Sequence, residues 1–320
     1  MEIKRKWKGK TGGSLIGQQS LLAILKIFDI RIGYALMAAV VPIYMLIHHN
    51  ACRSIYRYFR RQFGHAPLQA VRMTYKNHYA FGQTILDRFA VFSGHKDRFE
   101  VTVIGNEHFV RLTEGRKGFI IAGAHIGNFE IAGYLLRQYH KKINALFYAG
   151  ETRTVQNNRR RILAQNNIRL IPVTSDMSHI FSIHAALRSG EIVSMPCDRN
   201  WGSAKTIRCR FMNGTAHFPV GAFALAATFD VEMLSIFVLK QSARRYVVHV
   251  RPIAIPAVSE NKRYAIEAAA RNFVSEMENI LRQYPEQWFN YYDFFDTDSA
   301  NENKEIVQQI NSASKRKKTS

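Results

Sequence analysis

Apolar residues in this chain fall first into one long run and then into a succession of short ones. Residues 32–47 carry no charge and contain Pro42; Lys26, Asp29 and Arg31 precede them, and Arg53, Arg57, Arg60 and Arg61 follow. After a polar break at 64–67, a helical pattern runs through 86–92, and residues 99–105 alternate as a strand does. Further strand-like runs lie at 118–124, 143–147, 169–173, 192–195, 233–238 and 246–250. Helical patterns lie between and after them at 129–138, 155–165, 179–188, 220–228 and 263–283. Such alternation predicts an α/β sandwich around a largely parallel sheet. The pattern divides the chain into a basic, apolar segment at 1–66, an α/β domain at 67–297 and a polar, basic tail at 298–320 that is expected to be disordered.

The uncharged run is 16 residues long, whereas a helix that crosses a bilayer needs roughly 20. Positive charge flanks it on both sides, so the bias that would orient a spanning helix is nearly absent. A helix lying in or dipping into the inner leaflet fits better than a span. A buried core helix would explain the apolarity, but not the arginines and tyrosines (Tyr44, Tyr56, Tyr58) gathered at its end, which suit an interface. The N-terminal basic residues and the late start of the apolar run do not make a secretory signal.

Charge sharpens this picture. The chain has 45 Lys and Arg against 24 Asp and Glu, a net +21, which favours anionic partners: phospholipid headgroups, an acidic carrier protein or nucleic acid. Its three cysteines, Cys52, Cys197 and Cys209, form no CxxC pair and are too few for a disulfide framework. A structural metal site is not expected. His179 and His184 point to different faces of a helix, and Gly9-Lys10-Thr11 lacks the strand and first glycine of a phosphate-binding loop.

The stretch that carries chemistry is Gly118-Phe119-Ile120-Ile121-Ala122-Gly123-Ala124-His125-Ile126-Gly127-Asn128-Phe129-Glu130. An apolar strand ends in small residues, and a histidine appears where the chain turns toward a helix. In open α/β sheets ligands collect at the carboxyl ends of strands. Gly127 permits a tight turn, and Asn128 is expected to cap the helix starting at Phe129. His125 and Glu130 would point about 140° apart on one continuous helix, so they can meet only across a turn. A carboxylate meeting the imidazole there would fix its tautomer and raise the basicity of the other nitrogen, as a general base acting on a hydroxyl requires. The alternative is a capping loop in which Glu130 only complements the helix dipole. Spacing alone does not decide, because His95 and Glu100 show the same separation; they sit in a charged string with no apolar strand before it.

Ala124-His125-Ile126-Gly127-Asn128-Phe129-Glu130 resembles the H-x4-D/E block of glycerolipid acyltransferases, and closely the version in the lipid A secondary (lauroyl and myristoyl) acyltransferases. Gly190 through Arg199 resembles that family's second block, Asn213-Gly214 with Phe218-Pro219-Val220-Gly221 its third, and Pro285-Glu286-Gln287-Trp288 its closing block. The likeness covers roughly residues 1–295. It implies a glycerolipid-acyltransferase-like sandwich in which His125 deprotonates the acceptor, Glu130 supports it, and the donor is a thioester on acyl carrier protein. No cofactor is implied. Asp198 and Arg199 are candidates for positioning the substrate or the oxyanion, and Asn128 for substrate contact. Arg159, Arg160 and Arg161 open a predicted helix where positive charge opposes the dipole; Arg161 is the one taken as substrate-binding. The implied setting is the cytoplasmic face of a bacterial inner membrane, with an anionic lipid as acceptor.

The closing block continues as Phe289-Asn290-Tyr291-Tyr292-Asp293 where well-studied lipid A enzymes tend to have Trp, His and Arg, and the second block reads Asp198-Arg199-Asn200 where Asp-Gln is common. The acceptor therefore stays open between a lipid A hydroxyl and another membrane lipid, such as an aminolipid or an aryl polyene type lipid. No G-x-S-x-G elbow is present, so a serine-hydrolase mechanism has no candidate. A non-enzymatic basic protein that binds nucleic acid is the alternative of another class, but its only cluster of basic and aromatic residues, 53–63, adjoins the apolar run, and membrane contact explains it better.

Overall fold

Asp29 accepts a hydrogen bond from the backbone N–H of Arg31 at 2.9 Å and starts the first helix, α1 (Ile30–Ile47). The computed structural model describes residues 29–92, 94–132, 140–148, 167–174, 176–199, 205–256 and 261–296. The basic N-terminal residues, the tail, the predicted helix at 155–165 and most of that at 129–138 lie outside them.

α1 buries Ile30, Gly33, Tyr34 and Val41 and leaves Ile32, Leu36, Val40, Ile43 and Ile47 exposed. These five recur at helical spacing, so one face docks on protein while the other presents an apolar stripe. Its 18 residues reach about 27 Å, close to the ~30 Å of a bilayer's hydrocarbon core. α2 (His49–Gln62) buries Ile55, Tyr58, Phe59 and Gln62 and exposes Arg53, Arg60 and Arg61.

α3 runs from Pro67 to Phe92, much longer than the pattern at 86–92 suggests. Its buried face includes Thr74, Asn77, His78, Thr84 and Asp87, and these polar residues hide the apolar period. Proline suits the start of a helix, where its missing N–H costs nothing. Gly82 lets Met37 of α1 approach closely, since a Cβ there would meet the methionine side chain at 2.6 Å.

Among the described residues, seven strands form one sheet: β1 (Glu100–Ile104), β2 (Phe119–Gly123), β3 (Ile143–Tyr148), β4 (Ile168–Val173), β5 (Ile192–Pro196), β8 (Met233–Lys240) and β9 (Arg245–Ile253). Their order across the sheet is β1-β9-β8-β2-β5-β3-β4. Within this sheet β8 and β9 pair antiparallel, and every other pair of neighbouring strands is parallel. β8 is buried at every position, as expected of a strand covered on both faces. The two faces of β2 feed two cores. Ile120 and Ala122 join the side packed by α7 (Lys262–Gln283) and α6 (Gly221–Phe229); Phe119 and Ile121 join the side of α1, α3 and α4 (Asn106–Glu114).

A separate hairpin, β6 (Thr206–Phe211) with β7 (Gly214–Pro219), holds Ile207, Cys209 and Phe211 in the first core. Its turn residue Met212 has φ +54°. α5 (His179–Arg188) lies between β4 and β5, as its pattern predicts. The architecture is thus the mixed α/β fold with a largely parallel sheet and an apolar N-terminal helix that the pattern predicts.

Candidate active site

β2 and β5 lie side by side in parallel register, Gly123 opposite Pro196. His125 is two residues past the end of β2 and Asp198 two past the end of β5, so the register itself brings them face to face. The backbone N–H of Cys197 donates to the Gly123 carbonyl at 2.8 Å and extends that register beyond the strands.

The imidazole Nδ1 of His125 lies 2.8 Å from Asp198 Oδ1, while Asp198 Oδ2 accepts the His125 backbone N–H at 2.9 Å and the Trp288 indole N–H at 3.3 Å. Asp198 is 1% exposed. Burial alone would push its carboxyl up, but the charge and hydrogen bonding of His125, together with the Arg199 guanidinium, outweigh it and hold the group at about 2. An ionised carboxylate can only accept, so Nδ1 carries a proton and, in the neutral ring, Nε2 is the nitrogen with the lone pair. The ring packs edge-on against Phe129, with centroids 5.2 Å apart.

The turn carrying the imidazole is clamped from two sides. Gly127 N–H donates to the Gln287 carbonyl and Asn128 N–H to the Val238 carbonyl, each at 2.7 Å, and Phe289 N–H donates to the His125 carbonyl at 2.9 Å. The Gln287 amide closes the clamp on both backbone groups of Lys240, at 2.9 and 2.7 Å. Gly127 has φ +60°, and a Cβ there would lie 2.0 Å from the Val238 carbonyl oxygen. Glycine is therefore demanded both by conformation and by space.

The carboxylate that the structure sets on Nδ1 is thus Asp198, where the motif reading expects Glu130. Glu130 instead forms an ion pair with Arg88 of α3, and its side chain is 16% exposed. The physical reason is local: Phe129–Ile131 form a single 3-10 turn. Asn128 does not cap that turn. It is 4% exposed and its amide donates inward, to the Thr84 carbonyl at 3.1 Å and the Tyr246 hydroxyl at 3.2 Å. Arg199 gives one arm to the Phe289 carbonyl at 2.8 Å, tying the second block to the closing one. Arg161, Arg159 and Arg160 lie outside the described residues.

Sequence reasoning passes over Arg88 and Lys240. The signal for Arg88 is present, since Asp87-Arg88 is a charged doublet inside the apolar pattern 86–92. Trp288 is found through the closing block, but its role as a donor to Asp198 needs the fold.

The arrangement can take a proton at Nε2, hold the resulting imidazolium against a buried carboxylate, and return the proton later. Among solved structures, the chain is similar to the 1-acyl-sn-glycerophosphate (LPA) acyltransferase PlsC from Thermotoga maritima, at 11% identity over 74% of this chain and 97% of that one, with a TM-score of 0.35. No curated protein matches the sequence significantly. The family described as bacterial lipid A biosynthesis acyltransferase matches residues 22–295. Four sequence blocks and most of the chain's length agree with that match, and the protein belongs to the bacterial lipid A biosynthesis acyltransferase family.

Proposed function

We propose that this acyltransferase moves a fatty acyl chain from the thioester of acyl carrier protein to a hydroxyl of a membrane lipid, as a late acylation of lipid A at the cytoplasmic face of a bacterial inner membrane. The observation that carries the reading is the His125–Asp198 pair at the carboxyl ends of β2 and β5, inside a family match over residues 22–295. Nε2 of His125 removes the proton from the acceptor hydroxyl as its oxygen attacks the thioester carbonyl. The tetrahedral oxyanion collapses, the C–S bond breaks, and the imidazolium returns the proton to the departing carrier thiolate. An ester and a free thiol result. Asp198 keeps Nδ1 protonated and stabilises the imidazolium between the two proton transfers, while Arg88 restrains Glu130, the acid of the motif, beside them.

The exposed stripe of α1 supports seating on a lipid surface, and the exposed Arg53, Arg60 and Arg61 on the following α2 would attract anionic headgroups. An acidic carrier protein would be drawn to the same excess of positive charge. Because Leu36 and Ile43 are 56% and 60% exposed, the double change Leu36→Glu and Ile43→Glu should leave the fold intact. It should move the protein from the pellet to the supernatant in sedimentation with phosphatidylglycerol vesicles; a folded double variant that still pellets would contradict the seat.

The function is tested by incubating the purified protein, in vesicles, with acyl carrier protein thioesters and an under-acylated lipid A. The expected product is that lipid heavier by one acyl group. Thioester hydrolysis without lipid product, or transfer only to a lipid amine, would overturn the proposed acceptor.

A further inference from the structure

A second buried polar cluster meets the motif and takes no part in the steps above. Lys240, the last residue of β8, is 9% exposed; its ammonium lies 2.5 Å from Asp87 Oδ2 and donates to the Tyr34 hydroxyl at 2.8 Å and the Ala243 carbonyl at 3.2 Å. Asp87, fully buried on α3, also accepts the hydroxyls of Tyr34 and Tyr246. The rings of Tyr34 and Tyr246 flank the ammonium, with centroids 4.8 and 4.9 Å away. From Tyr246 the chain of contacts continues to the amide of Asn128, three residues after His125.

Four elements therefore converge on one carboxylate: Tyr34 from the apolar helix α1, Asp87 from α3, Lys240 from β8 and Tyr246 from β9. A buried ion pair is weak evidence for a purely stabilising role, because apolar residues of similar volume serve stability as well or better. What sets this cluster apart is where it ends. Asp87 and Arg88 are adjacent on α3, project about 100° apart, and reach the motif at two places, Asp87 through Tyr246 to Asn128 and Arg88 directly to Glu130. The proton transfers need the imidazole held to a fraction of an ångström, and a misplacement of about 1 Å can cost ~100-fold in rate.

We propose that Asp87 is a positioning residue: through Tyr246 it holds Asn128 and the turn that carries His125, and through Tyr34 it makes that geometry depend on the docking of α1. The enzyme is then fully assembled only while its apolar helix is seated on α3. This rests on the acyl-transfer reading for its kinetic part, but not for its structural part.

Tyr246→Phe and Tyr34→Phe each remove one hydroxyl and keep the ring. Each full-length variant is compared with the wild type in phosphatidylglycerol vesicles for kcat, KM, thermal midpoint and amide hydrogen exchange. For Tyr246→Phe, kcat should fall about 10- to 100-fold with KM within about twofold. Exchange should quicken in a peptide covering residues 125–131 and stay unchanged in β5 and β8. Tyr34→Phe should show the same pattern while remaining bound to the vesicles. Unchanged kcat in a folded Tyr246→Phe variant would overturn the proposal, as would a lower thermal midpoint with faster exchange throughout, the mark of a merely structural role. The pattern in Tyr246→Phe but not in Tyr34→Phe would overturn the link to α1. If the wild type transfers no acyl group, the functional reading fails by itself, and the exchange at 125–131 still decides whether the cluster holds the turn.

Discussion

Replacing His125 with alanine should lower kcat for acyl transfer by about 10²- to 10⁴-fold, the range for removing a positioned general base. The loss should be chemical and not structural. The backbone contacts of this residue, N–H to Asp198 and carbonyl to the Phe289 N–H, do not depend on the ring. The side chain itself is 17% exposed, at the edge of the core. Steady-state assays with the carrier thioester should show KM for both substrates little changed, because the ring acts on the proton and not on the acyl chain or the headgroup. The vesicle-bound fraction should match the wild type. Turnover within about threefold of wild type would remove the imidazole from the reaction.

The second large effect belongs to Asp198→Asn. Asparagine fits the same space, but its amide nitrogen donates where the carboxylate accepted. Two orientations are open to it. If the amide N–H faces Nδ1, the ring proton moves to Nε2 and the base is lost; if the amide oxygen faces Nδ1, the tautomer survives but the imidazolium forms without its counter-charge. Either way kcat should drop by about 10²- to 10⁴-fold, the upper end being the known scale for the same change in a serine-protease triad. Asp198, held well below the usual carboxylate range by His125 and Arg199, is ionised across neutral and mildly acidic pH. The wild-type rate should therefore show no fall assignable to this carboxylate across neutral and mildly acidic pH. A stopped assay at several pH values checks both statements: uniform loss in the variant agrees, and a variant with wild-type kcat refutes the assignment.

Much of this architecture is legible in the sequence, for physical reasons that differ from element to element. β2, β5 and β8 are nearly continuous apolar runs, as strands covered on both faces must be, and the His125 turn is marked by the small residues that end β2. What stays hidden is neighbourhood. β3 and β4 intervene in sequence between β2 and β5, yet β5 lies beside β2 in the sheet, and only that adjacency puts Asp198 opposite His125. A motif containing its own acid draws the eye to Glu130 instead.

Helix α3 is half concealed because it buries Thr74, Asn77, His78 and Asp87: Thr74 and His78 bond carbonyls one turn back in the helix itself, while the Asn77 amide reaches the Glu286 and Trp288 carbonyls and Asp87 reaches Lys240, partners far off in sequence. The hairpin of β6 and β7 does carry its signal, with Ile207, Cys209 and Phe211 alternating against Arg208 and Arg210 before Asn213-Gly214. Its resemblance to a sequence block obscures the simpler alternation. The cluster around Lys240 and Asp87 joins residues up to 209 positions apart, Tyr34 with Ala243, and no local pattern announces it.

The central claim is that Asp198 holds the proton on Nδ1 of His125 and leaves Nε2 free to act as base. Nitrogen NMR of protein labelled at histidine, with the His125 signals identified by their loss in His125→Gln, tests it directly. In the unprotonated ring the account predicts a pyrrole-type Nδ1 and a pyridine-type Nε2, an arrangement disturbed by Asp198→Asn. A wild-type ring with its proton on Nε2 would contradict it.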